Sequence, residues 1–432
     1  MLRIKDDESF FKKDEKITKR KTNKMCADHS PEKKIDYTYL LFLLAILLAV
    51  AAGLSDFEIL HKIAAMISTI FVRIFQCISI PIIALSLIVT LSRYDSTGEM
   101  KAIWQKTIFY TVLTTMIAAL VSMALYLIIA PENIATTNAV APTTSSGDSY
   151  LSHLSNLIPE NIFAPFIDHQ VIGALLVSIA IGVAIRFIPE NEARIAVTNF
   201  FKGAHGIFLV MTSWIVKIIP IALFGFITSI VIDMKNGTNI EGLGSYLLVI
   251  VLSNLFQGFV ILPALLYKNK IAPFSTMRKM MPALTTAFFS KSSTGTLPIT
   301  IKTAENNLGI NPKVSRFVLP LCTSINMNGC AAFIFTTVIY LMQNNGADIS
   351  IATMFLWILI STIAALGNAG IPMGCFFLSA SLLTSMNVPI TLLGLILPFY
   401  SIIDMVETSL NVWSDSSVAK IIDEQIKEKK YE

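Results

Sequence analysis

Charged residues are scarce in this sequence. Asp, Glu, Lys and Arg make up 14% of its 432 residues, and hydrophobic residues make up 54%, whereas a soluble domain normally carries about 25% charged residues. The apolar runs are as long as helices and do not alternate between apolar and polar positions, so helical spans are favoured over a transmembrane β-barrel. The composition predicts an all-α integral membrane protein that crosses the lipid bilayer several times.

The sequence also lacks the usual signs of a metal centre, a disulfide-bonded domain or an enzyme. Its five histidines form no cluster, and no nucleophile or metal-ligand set accompanies its intramembrane carboxylates. The excess positive charge, +4, comes from the N-terminal tail and short loops, so nucleic acid is not expected as a partner. The cysteines show no paired spacing, so we predict neither a disulfide framework nor a zinc site. They are Cys26, Cys77, Cys322, Cys330 and Cys375.

A long stretch, Thr107 to Ile185, contains no Lys or Arg. The positive-inside rule therefore places its polar loop outside the cell, with both termini in the cytoplasm. The short loops and the lack of a cleavable signal favour the inner or plasma membrane. Residues 1–36 lack the apolar core of a cleavable signal peptide and are predicted to form a disordered cytoplasmic tail; residues 425–432 are predicted to form a second tail. Spans are predicted at about 37–54, 63–92, 104–130, 170–188, 206–233, 244–267, 314–342 and 391–413.

The last apolar segment, Thr391 to Trp413, carries polar residues on about a third of its helical circumference. An ionisable group at membrane depth costs about 2.5–3.5 kcal/mol or more, so it faces a protein interior or a wet cavity and indicates a functional site. The polar residues nearest the end also fit a plain cytoplasmic helix end. The face comprises Asp404, Glu407, Thr408, Asn411 and, just beyond the segment, Asp415.

Three polar interruptions occur where unbroken helices would be expected. They are Lys291–Thr296, Asn326–Gly329 and Gly367–Pro372. Non-helical backbone at membrane depth is tolerated only where it is buried or lines a cavity, and paired Gly- or Pro-broken segments indicate a transporter binding site. Taken singly, the interruptions also fit an extramembrane loop, a kink bonded by hydroxyl groups, or asparagines that bond between helices.

Together these features suit a zwitterionic solute beside a cation. Helix ends at an interruption offer backbone N–H groups to a carboxylate, which suits the Ser- and Thr-rich interruption. Asp404 suits an ammonium group, whereas Asp415, Asn411 and the interruption around Asn326 offer the oxygen ligands that sodium prefers. The residues therefore predict a carrier that couples an amino acid to an ion and performs no covalent chemistry.

The same segments resemble the motifs of a known family. Residues 291–300, KSSTGTLPIT, are similar to the serine-rich first hairpin tip of the dicarboxylate/amino acid:cation symporters, the family of the glutamate and neutral amino-acid transporters. Residues 326–329 resemble their NMDG motif, residues 369–372 their second hairpin tip, and residues 404–415, DMVETSLNVWSD, their DMxRTxxNVxGD motif. The likeness runs from about residue 37 to 424.

This resemblance implies eight transmembrane helices plus two re-entrant helical hairpins, an elevator-type transporter and a homotrimer. Residues of about 37–95 and 160–235 would form a scaffold, and residues of about 104–130 and 244–424 a transport domain, gated from outside by the second hairpin. No cofactor is implied beyond the coupling ions, sodium or protons.

The resemblance also assigns roles to individual residues. Asp404 would bind the substrate ammonium group, and the first hairpin tip would bind its carboxylate. The substrate set is Ser293, Thr294, Cys330, Gly370, Asp404, Glu407, Thr408 and Asn411, with Lys291 nearby. The sodium set is Cys322, Ser324, Asn326, Asn328, Ala365, Leu366, Asn368, Asn411 and Asp415, with Thr114 and Thr115 at a third sodium position.

Several positions depart from the family pattern. Glu407 stands where carriers of glutamate and aspartate have the Arg that holds the substrate's side-chain carboxylate, so an acidic substrate would be repelled. A neutral amino acid fits if Glu407 is protonated or paired with Lys291, and a cationic one fits if Glu407 is ionised. Cys330 replaces a substrate-contacting Thr. Asn328 replaces an Asp and Thr111 a Tyr at the third sodium position, which suggests fewer coupled sodium ions or a proton carried by Glu407.

We therefore expect a secondary active symporter for a neutral or cationic amino acid, driven by a sodium or proton gradient. A carrier of acidic amino acids or other dicarboxylates is the alternative. An ion channel built from the same polar interruptions is less favoured, because it would not accumulate a solute against a gradient.

Overall fold

A computed structural model describes residues 38–92, 99–134, 159, 161–167, 171–235, 241–347, 349–368, 370, 373–386, 388 and 391–431. Contacts divide the chain into two units, Met1–Leu44 and Ala45–Glu432. The described part of the first unit is the start of one helix. The predicted tail at residues 1–36 lies outside the described residues.

Every regular element in the described ranges is a helix, which confirms the all-α class. The elements are α1 (Thr38–Leu54), α2 (Glu58–Ser92), α3 (Glu99–Ile129), α4 (Ala164–Ile167), α5 (Val171–Arg186), α6 (Asn191–Lys235), α7 (Glu241–Phe256), a π-helical turn (Gln257–Ile261), α8 (Leu262–Lys268), α9 (Pro273–Ser290), α10 (Ser293–Leu308), α11 (Pro312–Ile325), α12 (Asn328–Asn344), α13 (Ile351–Leu366), α14 (Gly374–Ser385) and α15 (Thr391–Tyr431).

Several helices have the length and composition of membrane spans. Among the described residues, four stretches are long and apolar enough to cross a membrane: Lys101–Ile129, Asn191–Ile215, Gly242–Lys268 and Pro312–Asn344. Shorter apolar segments occur within α1, α2, α5, α6, α13 and α14. The structure therefore fits a membrane protein, and the count of eight spans stays a prediction.

Two helices extend far beyond the spans predicted for them. α6 begins at Asn191, well before residue 206, and α15 continues to Tyr431, through residues predicted as a tail. Ion pairs one turn apart favour this continuation of α15. Lys427 Nζ lies 2.6 Å from Asp423 Oδ2 and 3.4 Å from Glu424 Oε1.

The interruption between α9 and α10 is shorter than predicted. It consists of Lys291, which is left-handed with φ 54°, and Ser292. The Ser292 Oγ accepts a hydrogen bond from the Gly295 N–H at 3.0 Å. This serine cap satisfies a backbone donor of the first turn, so the remainder of Lys291–Thr296 is helical, contrary to the prediction, and Pro298 lies inside α10.

The interruption at Asn326 is also shorter than predicted, because Asn328 and Gly329 are helical. The interruption at Gly367 agrees with the prediction in its described residues; Ala369, Ile371 and Pro372 lie outside them. α13 and α14 are separated by Gly367–Met373, in which Gly370 and Met373 have positive φ angles of 63° and 61°. α11 and α12 are separated by Asn326 and Met327. α9 and α10 pack against each other as a helical hairpin, whereas α13 and α14 show no comparable contact with each other among the described residues. We call α13–α14 the second hairpin after the prediction; that either pair enters and leaves the bilayer on one side stays a prediction.

α2 packs along α6, and a glycine of α6 lies directly against α2. A Cβ atom on Gly225 would lie 2.8 Å from Ala64 O and 2.9 Å from Ser68 Oγ. The approach therefore depends on the missing side chain. Gly203, in the same helix, has no described atom within 4 Å of such a Cβ.

These two glycines provide a matched test of the α2–α6 contact. Gly225→Ala should lower stability by about 1–3 kcal/mol, because the methyl group overpacks the interface. Gly203→Ala should raise stability by up to about 1 kcal/mol through helix propensity. Thermal unfolding of both variants in detergent measures the difference, and equal shifts would contradict this packing.

Candidate functional site

The three interruptions meet at Gly370. Its carbonyl accepts hydrogen bonds from the Thr294 N–H and the Ser292 Oγ, both at 3.4 Å, so the tips of the two hairpins touch. The side chain of Thr294 is exposed. A Cβ on Gly370 would lie 2.6 Å from Thr323 O and 3.2 Å from Met327 Cε. With its positive φ, the position fits glycine alone.

Two charged side chains of the predicted site lie at the hairpin tips. Asp404 is 4% exposed, and its Oδ2 accepts from the Met373 N–H at 3.1 Å. Lys291, partly buried, donates from Nζ to Ser401 Oγ at 2.6 Å. α15 therefore holds a carboxylate against the second tip and binds the lysine of the first.

Asn411 contacts the interruption between α11 and α12. Its Oδ1 accepts from the Gly329 N–H at 2.9 Å, and its Nδ2 donates to Met327 Sδ at 3.4 Å. Both ends of the amide thus bond to the residues that open α12. The remaining members of the predicted substrate set in this region, Ser293 and Thr408, are buried.

Glu407 is buried and has few polar contacts among the described residues. It is 1% exposed, its Oε2 accepts from Tyr400 OH at 3.3 Å, and its Oε1 has no hydrogen-bond partner among the described residues. Gly329 packs directly on it, because a Cβ there would lie 2.8 Å from Glu407 Cα. Lys291 donates to Ser401, and no ion pair between Lys291 and Glu407 occurs in the described part of the chain. Of the two ways in which a neutral substrate could be accommodated, pairing of Glu407 with Lys291 is therefore not found among the described residues.

Cys330 and Cys375 form a disulfide, so the prediction that the chain has none is wrong. Their sulfur atoms are 1.96 Å apart and their Cα atoms 5.2 Å apart, although 45 residues separate them in sequence. They meet because α12 and α14 begin at the same place, which spacing along the chain does not reveal. Cys330, predicted to contact substrate, is thus bonded to the second hairpin. The Asn368 Nδ2 donates to both sulfur atoms, at 2.7 and 3.4 Å.

A buried hydrogen-bonded cluster surrounds Asp415. Asn326 donates from Nδ2 to Asp415 Oδ1 at 3.0 Å, and Thr323 donates from Oγ1 to Asp415 Oδ2 at 3.5 Å. Thr114 donates in turn to Asn326 Oδ1 at 3.1 Å. The structure therefore brings together three residues predicted for sodium, from α3, the interruption and α15.

Ser414 extends this cluster and is absent from the predicted set. Its Oγ accepts from Asn326 Nδ2 at 2.9 Å and from Asn328 Nδ2 at 2.7 Å. Thr115 donates to Asn328 Oδ1 at 3.0 Å. The sequence signal was present, because Ser414 directly precedes Asp415 on the polar end of the last helix.

The other predicted sodium ligands lie at helix ends. The Cys322 carbonyl accepts from the Asn326 N–H, and the Ala365 carbonyl accepts from the Asn368 N–H. Leu366, the last residue of α13, is partly buried. Ser324 donates to Pro320 O at 3.5 Å and lines a separate cavity of about 220 Å³.

The π-helical turn also contacts the site and was missed. Gln257 donates from Nε2 to Thr114 O at 3.0 Å, and Trp413 donates from Nε1 to Gly258 O at 3.1 Å. The turn thus links α3 and α15. The signal was a Gln-Gly pair inside an apolar span, and single π turns are frequent at functional sites.

The sequence is similar to a known protein family. Residues 39–425 match the model of the sodium:dicarboxylate symporter family. The chain belongs to this family. The predicted family is thereby confirmed, and it is a family of membrane transporters, not of enzymes.

Several relatives are named as amino acid transporters. Neutral amino acid transporter B(0) of Oryctolagus cuniculus is 26% identical over 394 residues, covering 82% of this chain and 72% of the relative. Neutral amino acid transporter A of Homo sapiens is 26% identical over 397 residues, covering 81% and 74%. The protein glt-4 of Caenorhabditis elegans, whose name proposes a sodium-dependent excitatory amino acid transporter, is 26% identical over 407 residues, covering 82% and 81%.

The oxygen atoms around Asp415 suit a hard cation as ligands. Carboxylate and hydroxyl oxygens lie together there, the amide oxygens of Asn326 and Asn328 are bonded by neighbouring threonines, and all of these side chains are buried. In the described residues no basic side chain lies within ion-pair distance of Asp415. Hard cations take such oxygen ligands, so the residues present fit the predicted sodium ion.

Ser414 offers a test of the cluster. Ser414→Ala removes an acceptor shared by two asparagines and should lower stability by about 1–3 kcal/mol, the cost of leaving a buried donor unpaired. The control is Ser416→Ala, because the Ser416 hydroxyl bonds only to Val412 O of its own helix among the described residues. Thermal unfolding in detergent compares them, and a control shift as large as that of Ser414→Ala would contradict the shared-acceptor role.

Proposed function

We propose that this protein is a secondary active symporter that couples uptake of an amino acid, neutral rather than acidic, to the sodium gradient, with protons as the alternative coupling ion. Its family and the names of its relatives support transport of amino acids with sodium. The observation that carries the choice of substrate is Glu407, buried beside the hairpin tips without a basic partner among the described residues.

The two ends of an amino acid backbone find complementary groups at the hairpin tips. Asp404 offers a buried carboxylate to the ammonium group, beside the start of α14. The first turn of α10 would offer the carboxylate the hydroxyls of Ser293 and Thr294 and, once the contact with Gly370 opens, the Thr294 N–H. Gly370 lets the two tips close on each other.

Glu407 would oppose an acidic side chain. Two like charges about 4 Å apart repel by about 4 kcal/mol at an effective dielectric constant of about 20, which is close to a thousandfold in affinity. A protonated Glu407 would instead offer a neutral hydrogen-bonding group, as a small neutral side chain requires. The Tyr400 hydroxyl already holds one of its oxygens.

Coupling follows from a shared element. The segment Asn326–Gly329, which comprises the break and the first residues of α12, bonds to Asp415 through Asn326 and to Asn411 through Gly329. A cation held at Asp415 would therefore fix the backbone that positions Asn411 near the substrate. Such a link gives each ligand a different affinity when the other is bound, which is what symport requires.

The architecture of the family supplies the remainder of the proposal. Eight spans and two re-entrant hairpins would place the site at membrane depth, and α1, α2, α5 and α6 would form the scaffold of a homotrimer. The remaining helices would carry the solute across as an elevator, with α13–α14 as the outer gate. The termini would lie in the cytoplasm.

A cationic amino acid is the second candidate. The buried Glu407 Oε1 has no hydrogen-bond partner in the described part of the chain. A substrate ammonium or guanidinium group would supply that partner, and an ionised Glu407 would then be the selective group.

Uptake into proteoliposomes tests the proposal. Under an inward sodium gradient, labelled serine or alanine should accumulate and aspartate should not; a proton gradient replaces sodium in a parallel run. Glu407→Gln, the isosteric variant, should keep uptake of neutral amino acids, because it keeps a neutral polar group. Glu407→Arg should shift uptake toward acidic amino acids by restoring the family's arginine.

The other outcomes are equally informative. Uptake of lysine or arginine that Glu407→Gln abolishes would establish the second candidate. Strong accumulation of aspartate or glutamate by the unmodified protein would overturn the role given to Glu407. Passive flux of ions without accumulation of any solute would overturn symport itself.

A further inference from the structure

Three side chains with metal-binding atoms come together at the starts of α12 and α14. The sulfur atoms of Cys330 and Cys375 and a carboxylate oxygen of Glu407 all lie within 4.8 Å of one another. Each residue is at most 2% exposed. The three come from three different helices, so the fold and not one local motif assembles the set.

Glycines make this convergence possible. Gly329, directly before Cys330, lets α12 approach the backbone of Glu407, as a Cβ there would lie 2.8 Å from Glu407 Cα. Gly374, directly before Cys375, leaves room for Asn368, whose Oδ1 would lie within contact of a Cβ at that position.

Two oxygen atoms beside the sulfurs have no partner. The Oε1 of Glu407 and the Oδ1 of Asn368 are buried without a hydrogen-bond partner among the described residues. Buried polar atoms are nearly always paired, so each such atom calls for a ligand or another explanation. The Asn368 Nδ2 donates to both sulfurs, which places its amide against the same cluster.

We propose that Cys330, Cys375 and Glu407 form a redox-gated site for a thiophilic divalent cation such as zinc or cadmium, with the disulfide as its closed form. Two thiolates and one oxygen are ligands that zinc accepts, with bonds of about 2.3 Å to sulfur and about 2.0–2.2 Å to oxygen. The Asn368 amide lies beside the set, with its Nδ2 toward both sulfur atoms. Thiolate ligands select soft cations over sodium, so this site is chemically distinct from the oxygen cluster at Asp415.

Opening the site requires reduction. A phosphine reductant and one water molecule convert the disulfide into two thiols and a phosphine oxide, so two electrons and two protons reach the sulfur atoms. The cation then displaces the two thiol protons and is held between α12, α14 and α15. The disulfide form has no thiolate and cannot hold the cation in this way.

This inference does not rest on the proposed function, because binding of the cation is measured without transport. The full-length protein, purified in detergent and reduced with phosphine, is freed of reductant without air and titrated with cadmium. The ultraviolet charge-transfer band between thiolate and cadmium reports ligation by sulfur. One cadmium per chain should bind with a two-thiolate band.

The variants separate this site from other cysteines. Cys330→Ser and Cys375→Ser should each halve the band, whereas Cys77→Ser, at an exposed cysteine, should leave it unchanged. Glu407→Gln should raise the dissociation constant at least about tenfold, since even loss of an outer partner costs about 10–100-fold in metal affinity. Unmodified protein oxidised with diamide, a control that needs no substitution, should show no band.

Failure would be unambiguous. The inference is overturned if reduced protein with titratable thiols binds no cadmium, if the oxidised protein binds it equally, or if the double variant Cys330→Ser/Cys375→Ser retains the full band. None of these results bears on amino acid uptake, so the proposed function stands or falls separately.

Discussion

The hydrogen bonding of the Asn326–Gly329 interruption to α15 is the interaction on which the rest of the site depends. A non-helical backbone inside an apolar protein leaves donors and acceptors that cost about 1–3 kcal/mol each when unpaired. α15 supplies one such partner, because Asn411 accepts from the Gly329 N–H. Its Asp415 and Ser414 also accept from the side-chain amides of Asn326 and Asn328. Without that polar face, nothing on α15 would stabilise the break between α11 and α12.

The same bonds place two kinds of chemistry side by side. Toward Asp415, oxygen atoms converge where a hard cation fits; toward Asp404 and Glu407, buried carboxylates face the hairpin tips. The segment around Asn326 contacts both regions. A structural change at Asp415 is therefore transmitted toward the hairpin tips through its hydrogen bonds. The cysteine pair adds soft ligands beside Glu407, at the junction of the second hairpin with α12.

The sequence was informative where polarity breaks an apolar pattern. The polar face of the last helix and the interruptions at Asn326 and Gly367 stand out because membrane helices otherwise exclude such residues. Features that depend on tertiary contact did not stand out. Cys330 and Cys375 are 45 residues apart and meet only through helix packing, and the π-helical turn arises inside an ordinary apolar run. The predicted interruption at the first hairpin tip is too long, because the cap by Ser292 allows the Ser- and Thr-rich stretch after it to be helical.

If the cation and the amino acid are bound through one shared segment, each should raise the affinity of the protein for the other. The equilibrium dissociation constant of a labelled neutral amino acid on the purified protein would be determined in sodium and in choline. We expect tighter binding of the amino acid in sodium, and an equal increase in sodium affinity when the amino acid is bound, because coupling free energy is reciprocal. A dissociation constant that is the same in sodium and in choline would contradict it.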